Sequence, residues 1–300
     1  MSISERRVNQ LVVSIALFLV LATSSALVSL ALAQPSVSNE EVVRIPVTVR
    51  ALFGTKELAL EGTTYRPDGD GPFPLAVLNH GSPRNAADRR NRTRERYAQQ
   101  SAWFVARGFA VVIPMRRGYA GSEGDWAEGG GPCDRSNWHF AGRESAKDIR
   151  AAVEFMQAMP FVDRSRVVLV GQSAGGFGVL ALAAEGVEGL KGVINFAGGR
   201  GSAQAGKNCS PENVIYSMGQ FGRTTKVPTL WTYTENDSYF PVSMIQEMHA
   251  AFRKRGGDAE LIVLPPFGTE GHLLFSRGVE LWSPLVESFL DRLGLLRSPK

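Results

Sequence analysis

Side chains that ligate metals or form cross-links are scarce in this chain: its 300 residues include four histidines and two cysteines. So sparse a set excludes a cysteine-rich zinc module and a dense disulfide framework. The H-E-x-x-H pair of a zinc hydrolase, the Gly-rich P-loop and the G-x-G-x-x-G dinucleotide turn are also missing, so no metal and no cofactor is expected. Charge of one sign is in short supply as well. A net charge of +4 is too small over this length to make a nucleic-acid footprint, and no nucleic-acid partner is expected. Neither a low-complexity tract nor a repeat of roughly 20 to 50 residues is present, which excludes solenoids and propellers.

What the chain does have begins with one long apolar run. Leu11 to Leu32 is interrupted only by Ser and Thr, follows the basic pair Arg6 and Arg7, and leads into Ala31-Leu32-Ala33, small residues at the −3 and −1 positions of a cleavage site. This pattern predicts a signal peptide over 1–33, a polar leader over 34–41, and export to the periplasm or beyond. The run is also long enough to cross a bilayer, so an uncleaved anchor over 11–32 is the alternative. With the peptide cleaved, no stable membrane partner is expected. No cysteine follows the run to take a lipid. In an oxidising compartment Cys133 and Cys209 can bridge, and that pair is the disulfide candidate; two free thiols are the alternative.

From residue 42 to 300 a single α/β domain is expected. Alternation at Val43, Ile45, Val47 and Val49 predicts a first strand and Glu57 to Tyr65 a second, an antiparallel pair at a sheet edge. Thereafter short continuous apolar runs, Leu75–Leu78, Ala110–Ile113, Val167–Val170, Val193–Phe196, Thr229–Tyr233 and Leu261–Leu264, alternate with helical stretches near 93–107, 145–159, 174–184, 242–255 and 284–293. Strands buried on both faces and separated by helices imply βαβ units, hence a mostly parallel sheet with helices on both faces. Ligands bind beyond the carboxyl ends of such strands. The connection near 116–142 is too long for a plain loop and is expected to overhang that end as a lid.

Gly171-Gln172-Ser173-Ala174-Gly175 lies between the Val167–Val170 run and a helix of small residues. A G-x-S-x-G in that setting puts serine on a strained strand-to-helix turn, with glycines where strand and helix meet, and makes Ser173 the candidate nucleophile. In this arrangement the acid and then the histidine follow the serine along the chain. His249 falls inside a helix, whereas His272 follows the last strand in a loop, so His272 is the candidate base. Asp237 is the candidate orienting acid, with Glu235 as the alternative. The oxyanion of a tetrahedral intermediate needs backbone donors. Ala174 N–H is one; the other comes from Asn79-His80-Gly81-Ser82-Pro83, where Pro83 has no N–H, so Ser82 is the first choice and Gly81 the second. His80 is expected to brace this loop.

On these residues the chain resembles the α/β-hydrolase superfamily, and within it the bacterial dienelactone-hydrolase-like and prolyl-oligopeptidase-like serine esterases. The likeness is carried by Tyr65-Arg66-Pro67, Asn79-His80-Gly81-Ser82, Arg116-Arg117-Gly118-Tyr119, Gly121-Ser122-Glu123-Gly124, the serine elbow, Asn236-Asp237 and Gly271-His272. Two departures narrow what carries over. Dienelactone hydrolases use a nucleophilic cysteine where this chain has Ser173, and the oligopeptidases carry an N-terminal propeller for which this chain has no room. The resemblance implies the α/β-hydrolase fold and an esterase-like catalytic domain.

Of the arginines at 84, 89, 90, 92, 94 and 96, most are expected on a solvated helix face, while Arg84 and Arg116, nearest the strand ends, are candidates for a substrate carboxylate. Tyr119 and Tyr239 are candidates to line an acyl pocket, along with Trp126, Trp138 and Phe177. The expected activity is hydrolysis of a small-molecule or polymeric ester through an acyl-enzyme. A peptidase or amidase with the same triad is the second reading, and a non-catalytic binding protein of this fold the third.

Overall fold

The computed structural model describes residues 39–51 and 53–296. The signal peptide over 1–33, the anchor over 11–32 and most of the leader lie outside the described residues. Among the described residues no helix is long and apolar enough to cross a membrane.

In chain order the elements are β1 (Glu41–Arg50), β2 (Thr55–Tyr65), β3 (Phe73–Asn79), α1 (Ala98–Ala106), β4 (Ala110–Pro114), α2 (Trp138–Gln157), β5 (Val162–Gln172), α3 (Ala174–Glu185) and β6 (Leu190–Phe196). Then come a two-stranded pair β7 (Ser202–Gln204) and β8 (Lys207–Asn208), α4 (Pro211–Thr224), β9 (Thr229–Thr234), α5 (Val242–Lys254), β10 (Ala259–Leu264), α6 (Leu274–Arg277) and α7 (Val279–Arg292). The main sheet has eight strands in the order β1-β2-β4-β3-β5-β6-β9-β10. β2 is antiparallel to both of its neighbours, and every pairing from β4 to β10 is parallel.

Successive strand residues point to opposite faces, so an unbroken apolar strand needs a packed layer on each side. Leu75 and Val77 of β3 join one core with Ile149 and Val153 of α2, Leu180 of α3 and Phe221 of α4. Ala76 and Leu78, one residue out of phase, join a second core with Phe104 of α1 and Trp282 and Phe289 of α7. From β3 the chain passes to β4 on one side and then returns to β5 on the other. The crevice at the carboxyl ends of β3 and β5 is therefore the switch point where a ligand site is expected.

Three helix starts and one whole helix differ from the sequence reading. The first helix begins at Ala98 rather than near Thr93, because Tyr97 has φ 39° and the preceding arginines are tied elsewhere: Arg92 to Glu95, and Arg94 and Arg96 to Glu40. α2 begins at Trp138, seven residues before Ser145, where the Asn137 side chain caps the helix by accepting from the Phe140 N–H at 3.0 Å. The overhanging loop thus ends at 137, and the last five residues assigned to a lid over 116–142 are helical. α7 begins at Val279, with Pro284 inside it. α4 was not anticipated, although Pro211 and Glu212 form a helix-start signal and Val214, Met218 and Phe221 share one buried face.

Candidate active site

The pairing of β3 with β5 puts Asn79 opposite Gly171. Residues just beyond these ends are consequently neighbours, and a Cβ added to Gly81 would lie 3.1 Å from the Cβ of Ser173. Ser173 has φ 56° and ψ −121°, backbone that an L-residue adopts at a cost of about 1–3 kcal/mol. The elbow depends on bare backbone at two positions. A Cβ on Gly171 would come within 2.4 Å of Gly175 carbonyl atoms, and one on Gly175 within 2.3 Å of the Asn79 carbonyl oxygen. Ser173 is 6% exposed and borders two cavities that meet at its side chain. The N–H groups of Ala174 and Ser82 have no acceptor among the described residues, and both residues border the cavity of about 160 Å³ on the Ala174 side.

The second cavity, about 270 Å³, is bordered by His272. Its Nδ1 lies 3.1 and 3.0 Å from the two Asp237 carboxylate oxygens, and both side chains are buried. Asp237 is held in turn by the N–H groups of Tyr239 and Phe240, at 2.7 and 3.1 Å. With the Nδ1 proton directed to Asp237, Nε2 is left as an acceptor. Glu235 is exposed and its backbone pairs with Leu264, so Asp237 is the acid that reaches the imidazole. Ser173 and His272 border the same cavity without a hydrogen bond between them among the described contacts; in unliganded sites such bonds are often long and tighten on substrate binding.

Two side chains fix His272 that the sequence reading assigned otherwise or not at all. Glu270 accepts from the N–H of His272 and the N–H of Ser238, each at 3.1 Å, and the Ser238 hydroxyl donates to it. Burial raises the Glu270 carboxyl, but these bonds and His272 outweigh it and leave it below its ordinary value. Tyr239 stacks on the imidazole with ring centroids 3.7 Å apart and planes 8° from parallel. On the Tyr239 ring sits the guanidinium of Arg84, 3.5 Å from the centroid and bonded to Ser202 and Ser238.

A buried charged network supports the loop after β3 from below. His80 donates from Nδ1 to the Gly81 carbonyl at 2.7 Å and accepts at Nε2 from the Arg116 N–H at 3.2 Å. Burial, then the nearby Arg116 charge, holds its pKa well below the ordinary value, so the ring is a neutral brace. Arg116 does not meet the cavities. It is fully buried, with Nη1 donating to the His80 carbonyl and Nε to Glu128. Tyr119 is likewise fully buried; its hydroxyl bonds to Ser82 at 2.8 Å and to Glu128 at 3.0 Å. Both therefore depart from the expected contact with substrate, because a side chain sealed under the loop can only position it. Phe177 is buried in the core, whereas Arg84, Trp126, Trp138 and Tyr239 border the cavity.

Sequence reasoning overlooked Glu128 and Arg200. Glu128, 1% exposed, is shared by Arg116 and Arg200; burial raises its carboxyl, but the two guanidinium groups outweigh that and hold it below the carboxylate range. Arg200 follows the carboxyl end of β6, in Gly198-Gly199-Arg200-Gly201, but a glycine-flanked residue carries no periodic signal. Arg89, assigned to a solvated helix face, instead borders the same cavity with its guanidinium 3.4 Å over the Trp126 ring.

Cys133 and Cys209 are joined by a disulfide, with Cα atoms 4.6 Å apart across 76 residues of sequence. The bridge fastens the long loop after β4 to the loop after β6, and the Cys209 carbonyl also accepts from Trp138 Nε1 at 2.8 Å. Replacing both cysteines by serine is expected to lower unfolding stability by about 2–4 kcal/mol. Denaturant titration of the variant against the oxidised wild type measures this, and equal midpoints would contradict it. A bridge of this kind points to an oxidising compartment.

The described geometry has relatives. An acylaminoacyl peptidase of Pyrococcus horikoshii superposes with a TM-score of 0.58 at 18% identity, over 88% of this chain and 43% of that one. An esterase of Pyrococcus furiosus gives 0.60 at 16%, over 84% and 92% of the two chains, and a putative dienelactone hydrolase of Klebsiella pneumoniae 0.55 at 15%, over 85% and 99%. This chain thus spans under half the length of the acylaminoacyl peptidase and nearly all of the dienelactone hydrolase. At these identities the likeness establishes the α/β-hydrolase fold. No curated protein matches in sequence. The family model for X-Pro dipeptidyl-peptidase (S15 family) matches residues 57–207, half of the chain and the part that contains the loop after β3, the Ser173 turn and Arg200. With that match over this fold, the chain is a hydrolase-fold protein that belongs to the X-Pro dipeptidyl-peptidase (S15) family.

Proposed function

We propose that the protein is a serine hydrolase that cleaves a carboxylic ester through an acyl-enzyme. One observation carries the reading: a serine on a strained strand-to-helix turn borders the same cavity as a histidine whose Nδ1 is bonded to a buried aspartate. Ser173 Oγ attacks the ester carbonyl carbon while His272 Nε2 takes its proton. The carbonyl oxygen becomes an oxyanion received by the N–H groups of Ala174 and Ser82, and Asp237 stabilises the imidazolium without taking the proton. The C–O bond to the alcohol then breaks as His272 returns the proton to the leaving oxygen. Water repeats the sequence on the acyl-serine and releases the acid.

Release of a dipeptide from an X-Pro terminus is the second reading, favoured by the family match. That substrate presents an ammonium group, which calls for an unengaged carboxylate. Among the described residues the carboxylate bordering the Ala174-side cavity is Glu128, held by Arg116 and Arg200, and the one bordering the His272-side cavity is Glu95, held by Arg92. This is why we place the ester reading first.

A fluorophosphonate probe is expected to label the wild type at Ser173 and to leave Ser173→Ala unlabelled; an unlabelled wild type would sink the serine mechanism. A panel of phenyl esters and an Ala-Pro anilide separates the two substrates, and turnover of the anilide alone would replace the first reading by the second. We further place the mature protein outside the cytosol, supported by the leader-like pattern before residue 34 and by the disulfide.

A further inference from the structure

We infer that the acyl half of the substrate ends in a carboxylate, received by Arg200 and Arg89 in the cavity on the Ala174 side of the nucleophile, with Arg84 beside them. The inference rests on the serine-hydrolase reading and names its substrate class. The two cavities have different tasks. His272 must deliver a proton to the departing oxygen, so the leaving group occupies the cavity that His272 borders. The acyl chain, whose carbonyl oxygen sits on the Ala174 N–H, continues into the other.

That other cavity is bordered by three guanidinium groups and one carboxylate. The carboxylate, Glu128, is already shared by Arg200 and by Arg116 behind it. Arg84 and Arg89 have no carboxylate partner among the described residues, since Arg84 bonds only hydroxyl and carbonyl oxygens and Arg89 lies on Trp126. Arg200 is 5% exposed. Its Nη2 reaches Glu128, Ser145 and the Ala174 carbonyl, while its Nε is buried with no acceptor. The Nε of Arg89 is in the same condition, and burial holds that guanidinium below its ordinary pKa. Buried donors without acceptors, beside an excess of positive charge, are the setting in which an entering carboxylate forms charge-assisted bonds. The bond from Arg200 Nη2 to the Ala174 carbonyl puts this guanidinium beside the residue that follows Ser173. A cavity of about 160 Å³ suits a short dicarboxylate half-ester rather than a long acyl chain.

The test compares mono-phenyl glutarate with phenyl valerate, which differ only in a terminal carboxylate against a methyl, with the enzyme-free rate subtracted. For the wild type, kcat/KM is expected to favour the glutarate by about tenfold or more, and the ratio to fall about fivefold or more in Arg89→Gln and in Arg200→Lys. Cooperative thermal unfolding of each variant shows that it is folded. If Arg200→Lys does not fold, Arg89→Gln decides alone. A wild type that prefers valerate, or a ratio unmoved by the substitutions, overturns the inference while leaving the serine mechanism standing. Hydrolysis of neither ester together with no fluorophosphonate labelling overturns both.

Discussion

Asp237→Asn is expected to lower kcat by about 10⁴ with little change in KM, the size of loss seen when an imidazole loses the acceptor that fixes its tautomer. The native carboxylate accepts from His272 Nδ1 and from the N–H groups of Tyr239 and Phe240. An asparagine retains one oxygen for the backbone donors but turns an NH₂ toward the ring, which favours the Nε2–H tautomer and removes the acceptor that Ser173 requires. Glu235→Gln supplies the comparison. That residue is exposed, and its substitution should leave turnover within a few-fold of wild type. Steady-state kinetics on one good ester decides between them. A small effect of Asp237→Asn with a large effect of Glu235→Gln would reassign the acid.

The largest effect on stability is expected at Glu128. Removing its carboxylate leaves Arg116, fully buried, and Arg200, nearly so, without their shared counter-charge. Breaking a buried ion pair from one side costs about 3–5 kcal/mol, because the remaining charge stays desolvated. Glu128→Ala should therefore unfold at much lower denaturant concentration than wild type. Glu128→Gln adds a pH signature. In the native protein this carboxyl is held below its ordinary 4.5, burial being outweighed by the two arginines. Below about pH 4.5 the unfolded chain takes up a proton that the native chain does not, so unfolding free energy falls with falling pH. Wild type should show that extra acid slope relative to Glu128→Gln; parallel pH profiles would mean that the native carboxyl titrates normally.

Why these two residues differ in legibility is physical. Asp237, with Glu235 as the alternative, was read as the acid because both follow the apolar strand Thr229–Tyr233 that precedes the last strand before His272. The strands themselves were legible because burial on both faces demands an unbroken apolar run, as in Leu75–Leu78. Glu128 gave no such signal. Its partners, Arg116 and Arg200, are 12 and 72 residues away, and only the folded sheet brings the loops after β4 and β6 together. For the same reason Arg116 and Tyr119 were read as facing substrate: their nearness to a strand end was visible, but not that the loop folds over them. Arg84 and Tyr239 were read as site candidates, while the stacking of Tyr239 on His272 and of Arg84 on Tyr239 depends on ring orientation, which no linear pattern encodes.

The meeting of two cavities at one serine also bears on how such a site diverges. Among the described residues only Ser82, Pro83, Ser173 and Tyr239 border both. The remaining walls belong to different segments: chiefly the disulfide-fastened loops after β4 and β6 on the Ala174 side, and the approach to α1 with the turn that carries His272 on the other. Substitutions without shared contacts combine nearly additively in free energy. On the ester reading, tolerance for a new acid and tolerance for a new alcohol can then be acquired in separate mutational steps, each selectable alone, while the turn that holds Ser173 stays as it is.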